Sequence, residues 1–244
     1  MTVWVVLAVA AVMAASLRSG VGKTLAGYGW YEWFFLFLSS AFLGDCFETI
    51  FVFLSTGVWM SRSSLLYAPL SVVWGAGAVL MTLVLTPLAR KGNAALFAAG
   101  AVLGGGFEYL ASWVLEKATG RLFWDYSSMP FNLDGRTNLL FALFWGAAGV
   151  FWIRVAAPRL LGWLHRIPRH SGRKLATVAA LLLVADMTLS GAALVRMEER
   201  SRGLVASNTV EQALDVLYTD ARLEQRYRNM QLPGETAPAA QAQA

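Results

Sequence analysis

Six stretches of this chain approach the length a helix needs to cross a bilayer, and that constrains the fold more than any other feature. A spanning helix takes ~20 mostly apolar residues, because every backbone amide must find its partner inside the hydrocarbon. The stretches run Thr2 to Leu17, Trp30 to Leu54, Leu65 to Leu88, Asn93 to Leu115, Asn138 to Ala157 and Leu175 to Val195. Hydrophobic residues are 57% of the 244 and charged residues 14%, against roughly 45 to 50% and about 25% in a soluble domain. The sequence predicts an all-α, polytopic membrane protein with about six transmembrane helices, and it excludes an ordinary soluble globule.

Charge divides the chain in two. Residues 1–195 hold 14 Lys/Arg and 8 Asp/Glu, whereas residues 196–244 hold 6 and 7. The first part reads as the transmembrane domain and the second as a polar C-terminal tail. A pI near 9.6 does not point to nucleic acid, because the basic residues lie between apolar runs rather than on one face. Cys46 is the single cysteine, and His165 and His170 are the two histidines. Neither an internal disulfide nor a Cys/His metal cluster is expected, and no cofactor is implied.

A secretory signal needs a basic n-region, but the first positive residue is Arg18, behind the apolar run. Thr2 to Leu17 therefore reads as a retained anchor with its N-terminus outside. Under that orientation ten flanking Lys/Arg fall inside (Arg18, Lys23, Arg90, Lys91, Arg154, Arg159, Arg166, Arg169, Arg173, Lys174) and four outside (Arg62, Lys117, Arg121, Arg136), in line with the positive-inside rule. Arg196, Arg200 and Arg202 count against it. Residues 154–174 carry six positive side chains with apolar neighbours, which suits anionic headgroups or a cytoplasmic partner.

The chain also resembles itself. Leu43-Gly44-Asp45-Cys46-Phe47-Glu48 recurs as Leu103-Gly104-Gly105-Gly106-Phe107-Glu108, and Arg62 … Leu65-Leu66-Tyr67 … Trp74-Gly75 as Arg136 … Leu139-Leu140-Phe141 … Trp145-Gly146. Two parallel helical-hairpin repeats follow, about 30–90 and 91–157, related by an axis along the membrane normal. At ~1.5 Å per residue Glu48 lies roughly 27 Å from Trp30 and Glu108 roughly 22 Å from Asn93, both in the outer half of the bilayer. A charge there must face the bundle and be paired. The economical solution pairs Glu48 and Glu108 with Arg62 and Arg136, with Asp45 one turn from Glu48 on the same face. Asp45, Glu48, Arg62, Glu108 and Arg136 are the candidate substrate or ion path, with a helix-packing clamp as the plain alternative. Asp186, mid-way along the last span, has no basic neighbour in sequence and is expected to be protonated or to meet another helix.

Gly100 with Gly104, and the glycines after Trp74 and Trp145, suit close helix contact. Gly104-Gly105-Gly106 weakens a helix by ~1 kcal/mol per residue, so a backbone opening beside Glu108 is an expectation too. The loop residues Trp124, Asp125, Tyr126 and Asn132 suit an aromatic belt over the outer mouth. In the tail, Asn208 stands three before Glu211 as in a capping box. Val210, Leu214, Leu217 and Ala221 then make a short amphipathic helix over about 208–230, and disorder is expected from Pro233. Ser19 to Thr24 mimics a phosphate loop but has Leu17 where glycine is required. No nucleotide-binding or hydrolase motif is found elsewhere, so an enzyme is not the favoured reading.

One ordered set of residues resembles a known family: Phe42-Leu43-Gly44 with Glu48, Arg62, Leu66-Tyr67, Pro69, Trp74-Gly75, Glu108-Tyr109, Ser112-Trp113, Glu116, Trp124-Asp125-Tyr126-Ser127, Pro130-Phe131-Asn132, Gly135-Arg136 and Trp145-Gly146. Over about residues 30–160 the chain is similar to the bacterial multi-pass membrane proteins described as putative type IV ABC-transporter permeases. Ala68 departs from the glycine usual there, and the last span and tail are additions. The resemblance implies a permease-like subunit of a transport system in a bacterial cytoplasmic membrane, with substrate unspecified; if transport is ATP-driven, the lack of a nucleotide-binding motif requires a separate ATPase, for which the basic residues 154–174 are the candidate docking site. Self-association into a homo-oligomer stays open. An intramembrane enzyme acting on lipid or cell-envelope precursors, and a non-transporting sensor or assembly factor, are the rival expectations.

Overall fold

The structure, a computed structural model, describes residues 28–232. The apolar stretch Thr2 to Leu17, the Ser19 to Thr24 loop and the tail from Pro233 lie outside them. In chain order the elements are α1 (Trp30–Thr56), α2 (Val72–Leu85, running into a 3-10 turn at Thr86–Lys91), α3 (Asn93–Thr119), the strands β1 (Asn132–Leu133) and β2 (Thr137–Asn138), and α4 (Leu139–Phe151). A π-helical turn at Trp152–Ala156 carries α4 into α5 (Ala157–Leu164), followed by α6 (Arg169–Ser201), α7 (Thr209–Leu217) and α8 (Asp220–Arg226). Among the described residues, five helical stretches are long and apolar enough to cross a membrane: Trp30–Thr56, Val72–Lys91, Asn93–Thr119, Leu139–Leu164 and Arg169–Ser201.

α1 and α2 form one antiparallel hairpin and α3 and α4 another. Each is closed by the same device. Gly44 leaves a notch into which Trp74 sinks, and Gly75 abuts Phe37 in return; a Cβ built on Gly44 would stand 2.3 Å from Trp74 Cβ. Sixty residues on, Gly104 receives Trp145 at 2.4 Å and Gly146 abuts Phe97. Both outgoing helices end on a glycine in the left-handed region, Gly57 at φ 71° and Gly120 at φ 68°, a conformation open to a residue without Cβ. Gly104 to Gly106 do not open α3, which is continuous from Asn93 to Thr119. The glycines are filled by the neighbouring helix instead: Trp145 at Gly104 and Ala142 at Gly105.

The third apolar stretch does not begin as a helix at Leu65. Residues 57–71 fold back along α1 as irregular chain, and α2 starts only at Val72, after Ser71 N–H reaches Ala41 C=O at 3.0 Å. Pro69 supplies the local reason, since it bars the residue before it from the helical region and has no N–H to give. Irregular backbone at membrane depth is tolerated only where protein satisfies its polar groups. Here α6 does so. Ser190 Oγ accepts from Leu66 N–H at 2.9 Å, and Asp186 accepts from Tyr67 N–H at 3.3 Å and Ala68 N–H at 2.8 Å. Asp186 thus meets three consecutive residues' worth of re-entrant backbone together with Ser190, one turn away.

At 33 residues, α6 is about 50 Å long against a hydrocarbon thickness of ~30 Å, so it overreaches the bilayer. The tail docks on its far end. It forms two short helices rather than one over 208–230, because Tyr218 leaves the helical region and Thr219 caps a new helix by accepting from Arg222 N–H. Leu214, Tyr218, Leu223 and Tyr227 pack on Ala193, Leu194 and Met197 of α6, with Leu66 and Phe123 alongside. Arg196 and Arg200 both grip Asp215, at 2.8 and 2.6 Å, and Arg200 also holds Asp220 at 2.5 Å. Of the arginines that count against the positive-inside rule, Arg196 and Arg200 are therefore neutralised by the tail, and Arg202 pairs with Glu198 of α6 itself.

Hydrogen bonds from Arg196 and then Arg200 hold the Asp215 carboxyl down to about 2. A carboxyl lowered on folding contributes stability that is complete above its unfolded pKa, about 3.9, and lost as the pH falls through the folded value. Tail docking should therefore be constant from neutral pH to about 5 and weaken below about 4. Hydrogen exchange of residues 209–226 measures it, and Asp215→Asn should remove that pH dependence.

Candidate functional site

The two hairpins meet through aromatic rings at the level of Gly44 and Gly104. Trp74 and Trp145 lie with centroids 5.1 Å apart, and Phe47 stacks on Phe144 at 6.3 Å. Around these rings sit the acidic side chains of α1 and α3. Arg62 donates from Nε and Nη2 to Glu48 Oε1 at 2.7 and 2.6 Å, while the Trp74 indole donates to Oε2 at 3.0 Å. Both carboxylate oxygens of Glu48 are thereby engaged. The fold-back of residues 57–71 makes this geometry, since it returns Arg62 to the level of Thr49, whose hydroxyl accepts from Arg62 N–H at 3.3 Å.

Asp45 is 5% exposed, and its Oδ1 has no hydrogen-bond partner among the described residues. It lies within electrostatic reach of Glu48, Arg226 and Arg62. Arg226 comes from α8 in the tail, a participant that nothing in the repeat pattern indicates.

The second hairpin is arranged differently from the expected pairing. Glu108 is not bonded to Arg136; it accepts from Tyr126 Oη at 3.0 Å and from Thr137 Oγ1 at 2.8 Å. Arg136 instead pairs with Glu116, bonds Ser112 Oγ at 3.2 Å and lies 6.0 Å over the Tyr109 ring. The longer second loop is the cause. Asp134 and Gly135, at φ 52° and 67°, make a tight turn between β1 and β2 of the kind Asp-Gly favours. That turn carries Arg136 outward to Glu116 and leaves Thr137, one residue on, facing Glu108. Glu108 is 8% exposed and has no ion-pair partner among the described residues.

The aromatic loop lies over this carboxylate. Tyr126 stacks on Phe141 at 4.7 Å, and burial, with the adjacent Glu108, pushes its phenol well above the ordinary value, so it remains a donor. Trp124 bonds Arg136 C=O at 2.9 Å. Asp125 turns back on Ser127 N–H and Oγ, both at 2.8 Å, and Asn132 bonds Met129 C=O at 2.7 Å and receives Gly135 N–H at 3.0 Å. Of these four, Trp124 bonds Arg136 C=O and Tyr126 donates to Glu108, both residues of the expected cluster, whereas Asp125 and Asn132 brace the loop itself.

At the opposite end of the helices, Arg154 staples the π-helical turn to the α2–α3 connection through Asn93 Oδ1 and Ala89 C=O, each at 2.9 Å. Arg159, Arg166, Arg169, Arg173 and Lys174 are exposed and form no ion pair among the described residues. Among the described residues His165 meets an acid there, its Nδ1 sharing a hydrogen bond of 2.7 Å with the buried Glu32. No three His, Cys, Asp or Glu side chains gather as a metal site requires among the described residues.

Comparison with curated proteins and with solved structures finds no match. A family model described as Putative ABC-transporter type IV matches residues 35–191, a span that takes in both hairpins, the two polar loops and most of α6. On that match, over more than half of its length, the chain belongs to the Putative ABC-transporter type IV family.

Proposed function

We propose that the chain is the permease-like membrane subunit of an ABC-type transport system in a bacterial cytoplasmic membrane, with solute or ion passing Asp45, Glu48, Arg62 and Glu108 in the outer half of the bilayer. The observation that carries this reading is that Asp45 and Glu108 are buried beside the hairpin interface without an ion-pair partner among the described residues. A packing clamp would gain by closing ion pairs on them, since a buried charge without a partner in contact costs several kcal/mol. Arg136, drawn to Glu116, stands at the rim of this path rather than in it.

The two hairpins are read as parallel repeats, a view supported by the recurring notches at Gly44 and Gly104. In this reading the N-terminus is outside and the basic surface of residues 154–174 faces the cytoplasm. The chain carries no nucleotide-binding motif, so ATP would be hydrolysed by another subunit docking there.

Glu108→Gln keeps the size of the side chain and one acceptor oxygen for Tyr126 or Thr137, the other hydroxyl turning to accept from the amide, while the charge is removed. Solute-stimulated ATP hydrolysis of the isolated complex should fall at least tenfold in this variant, with insertion and yield unchanged. Unaltered stimulation would reduce the cluster to a packing clamp.

A further inference from the structure

The tail touches both polar loops. Arg226 donates from Nε to Leu65 C=O at 2.8 Å, from Nη1 to Ser61 Oγ at 3.1 Å and from Nη2 to Ala68 C=O at 3.4 Å. Tyr218 and Tyr67 share a hydroxyl hydrogen bond at 2.7 Å. A few residues further, Asn229 Nδ2 bonds Phe123 C=O at 2.9 Å, and Gln231 exchanges two backbone hydrogen bonds with Leu122, at 2.9 and 2.8 Å. The first loop carries Arg62, the partner of Glu48; the second carries Tyr126 and Thr137, the donors to Glu108.

We propose that residues 218–231 are a strap that holds both loops over the polar cluster, with Arg226 as the positioning residue for the Arg62–Glu48 pair. The re-entrant backbone is gripped from two sides. Asp186 and Ser190 take its N–H groups at residues 66–68, and Arg226 takes its carbonyls at 65 and 68. A planar guanidinium with several fixed donors suits that task in a way an ammonium does not. Leu65 and Ala68 C=O also accept from Ser63 Oγ, and Ala68 C=O from Leu70 N–H, all inside the loop; without Arg226 the link of these carbonyls to the strap is lost, the segment loosens, and Arg62 is no longer held against Glu48. Passage of solute through the outer half then requires the strap to lift.

The strap rests on the reading of the cluster as a path, but its first test does not. Hydrogen exchange of the full chain in lipid nanodiscs should show residues 64–70 exchanging at least tenfold faster in Arg226→Ala than in wild type. Arg226→Lys should fall between, and α3 should be unchanged. Equal protection in wild type and Arg226→Ala overturns the positioning role, whatever Glu108→Gln does to transport.

The second test locks the strap. Leu122 and Gln231 form an antiparallel hydrogen-bonded pair, whose Cα atoms in such pairs are about 5.5 Å apart, within the range a disulfide accepts. Leu122→Cys with Gln231→Cys, in a Cys46→Ser background, should lose solute-stimulated ATP hydrolysis when oxidised and regain it on reduction. Full activity in the oxidised form overturns the requirement for lifting.

Discussion

Asp186→Ala is expected to destabilise the folded chain by about 3 to 5 kcal/mol. The carboxylate accepts two backbone N–H groups of the re-entrant segment, from Tyr67 and Ala68, and the Ser190 hydroxyl. Each donor left without an acceptor in hydrocarbon costs about 1 to 3 kcal/mol. Asp186→Asn keeps one acceptor oxygen and should cost about half as much. Ser190→Ala removes the acceptor of Leu66 N–H alone and should cost about 1 to 2 kcal/mol. Equilibrium unfolding in mixed micelles measures all three. Equal stability of Asp186→Ala and wild type would mean that the segment finds other partners, and the explanation of the irregular stretch given above would fail.

The second large effect is a sign reversal between glycines. Alanine in place of glycine inside a helix ordinarily stabilises by ~1 kcal/mol. Gly191, in the middle of α6 with nothing within 4 Å of a built Cβ, should follow that rule. Gly44→Ala and Gly104→Ala should do the opposite, because their Cβ atoms would stand 2.3 and 2.4 Å from the Cβ of Trp74 and Trp145. Those atoms are fixed to backbone and cannot swing away, so the hairpin must part. Overpacking of this kind costs about 1 to 3 kcal/mol or more, and loss of the neighbouring ring contacts adds to it. Thermal unfolding of the three variants in one detergent decides the matter: Gly191→Ala should melt at or above wild type and the other two well below.

Much of the fold was legible because hydrocarbon solvent leaves a chain few choices. Uninterrupted apolar length marked the starts of the helices at 30, 93 and 139 closely, as backbone satisfaction in lipid demands, whereas the last helix, expected over Leu175 to Val195, runs from Arg169 to Ser201 because its polar ends carry no apolar signal. Leu65 to Leu70 was misread for the same reason: apolar composition says that a segment is buried, not that it is helical. Pro69 was the available local signal. The acceptors that make the irregular path tolerable, Asp186 and Ser190, lie more than a hundred residues away, beyond any windowed pattern.

The site was partly legible. Glu48 and Arg62 meet because both hairpin arms share the membrane level that their spacing implies. The same reasoning misassigned Glu108 and Arg136, because it treated the second loop as a copy of the first. Asp134-Gly135 was the neglected sign that this loop is a β-turn, which moves Arg136 to Glu116 and brings Thr137 to Glu108. Arg226 had no local signal. Its place follows from the tail folding back over the loops, which depends on Asp215 and Asp220 finding Arg196 and Arg200.

On the proposed function, this family member works as the membrane subunit of an ATP-driven transport system. Affinity purification of the full chain from native membranes in mild detergent, with identification of the co-purifying chains, tests it most directly. A stoichiometric ATPase is the expected result, lost when Arg159, Arg166 and Arg169 on the exposed basic surface are replaced together by glutamate. Repeated absence of an ATPase, under conditions that keep known transport complexes intact, would contradict it.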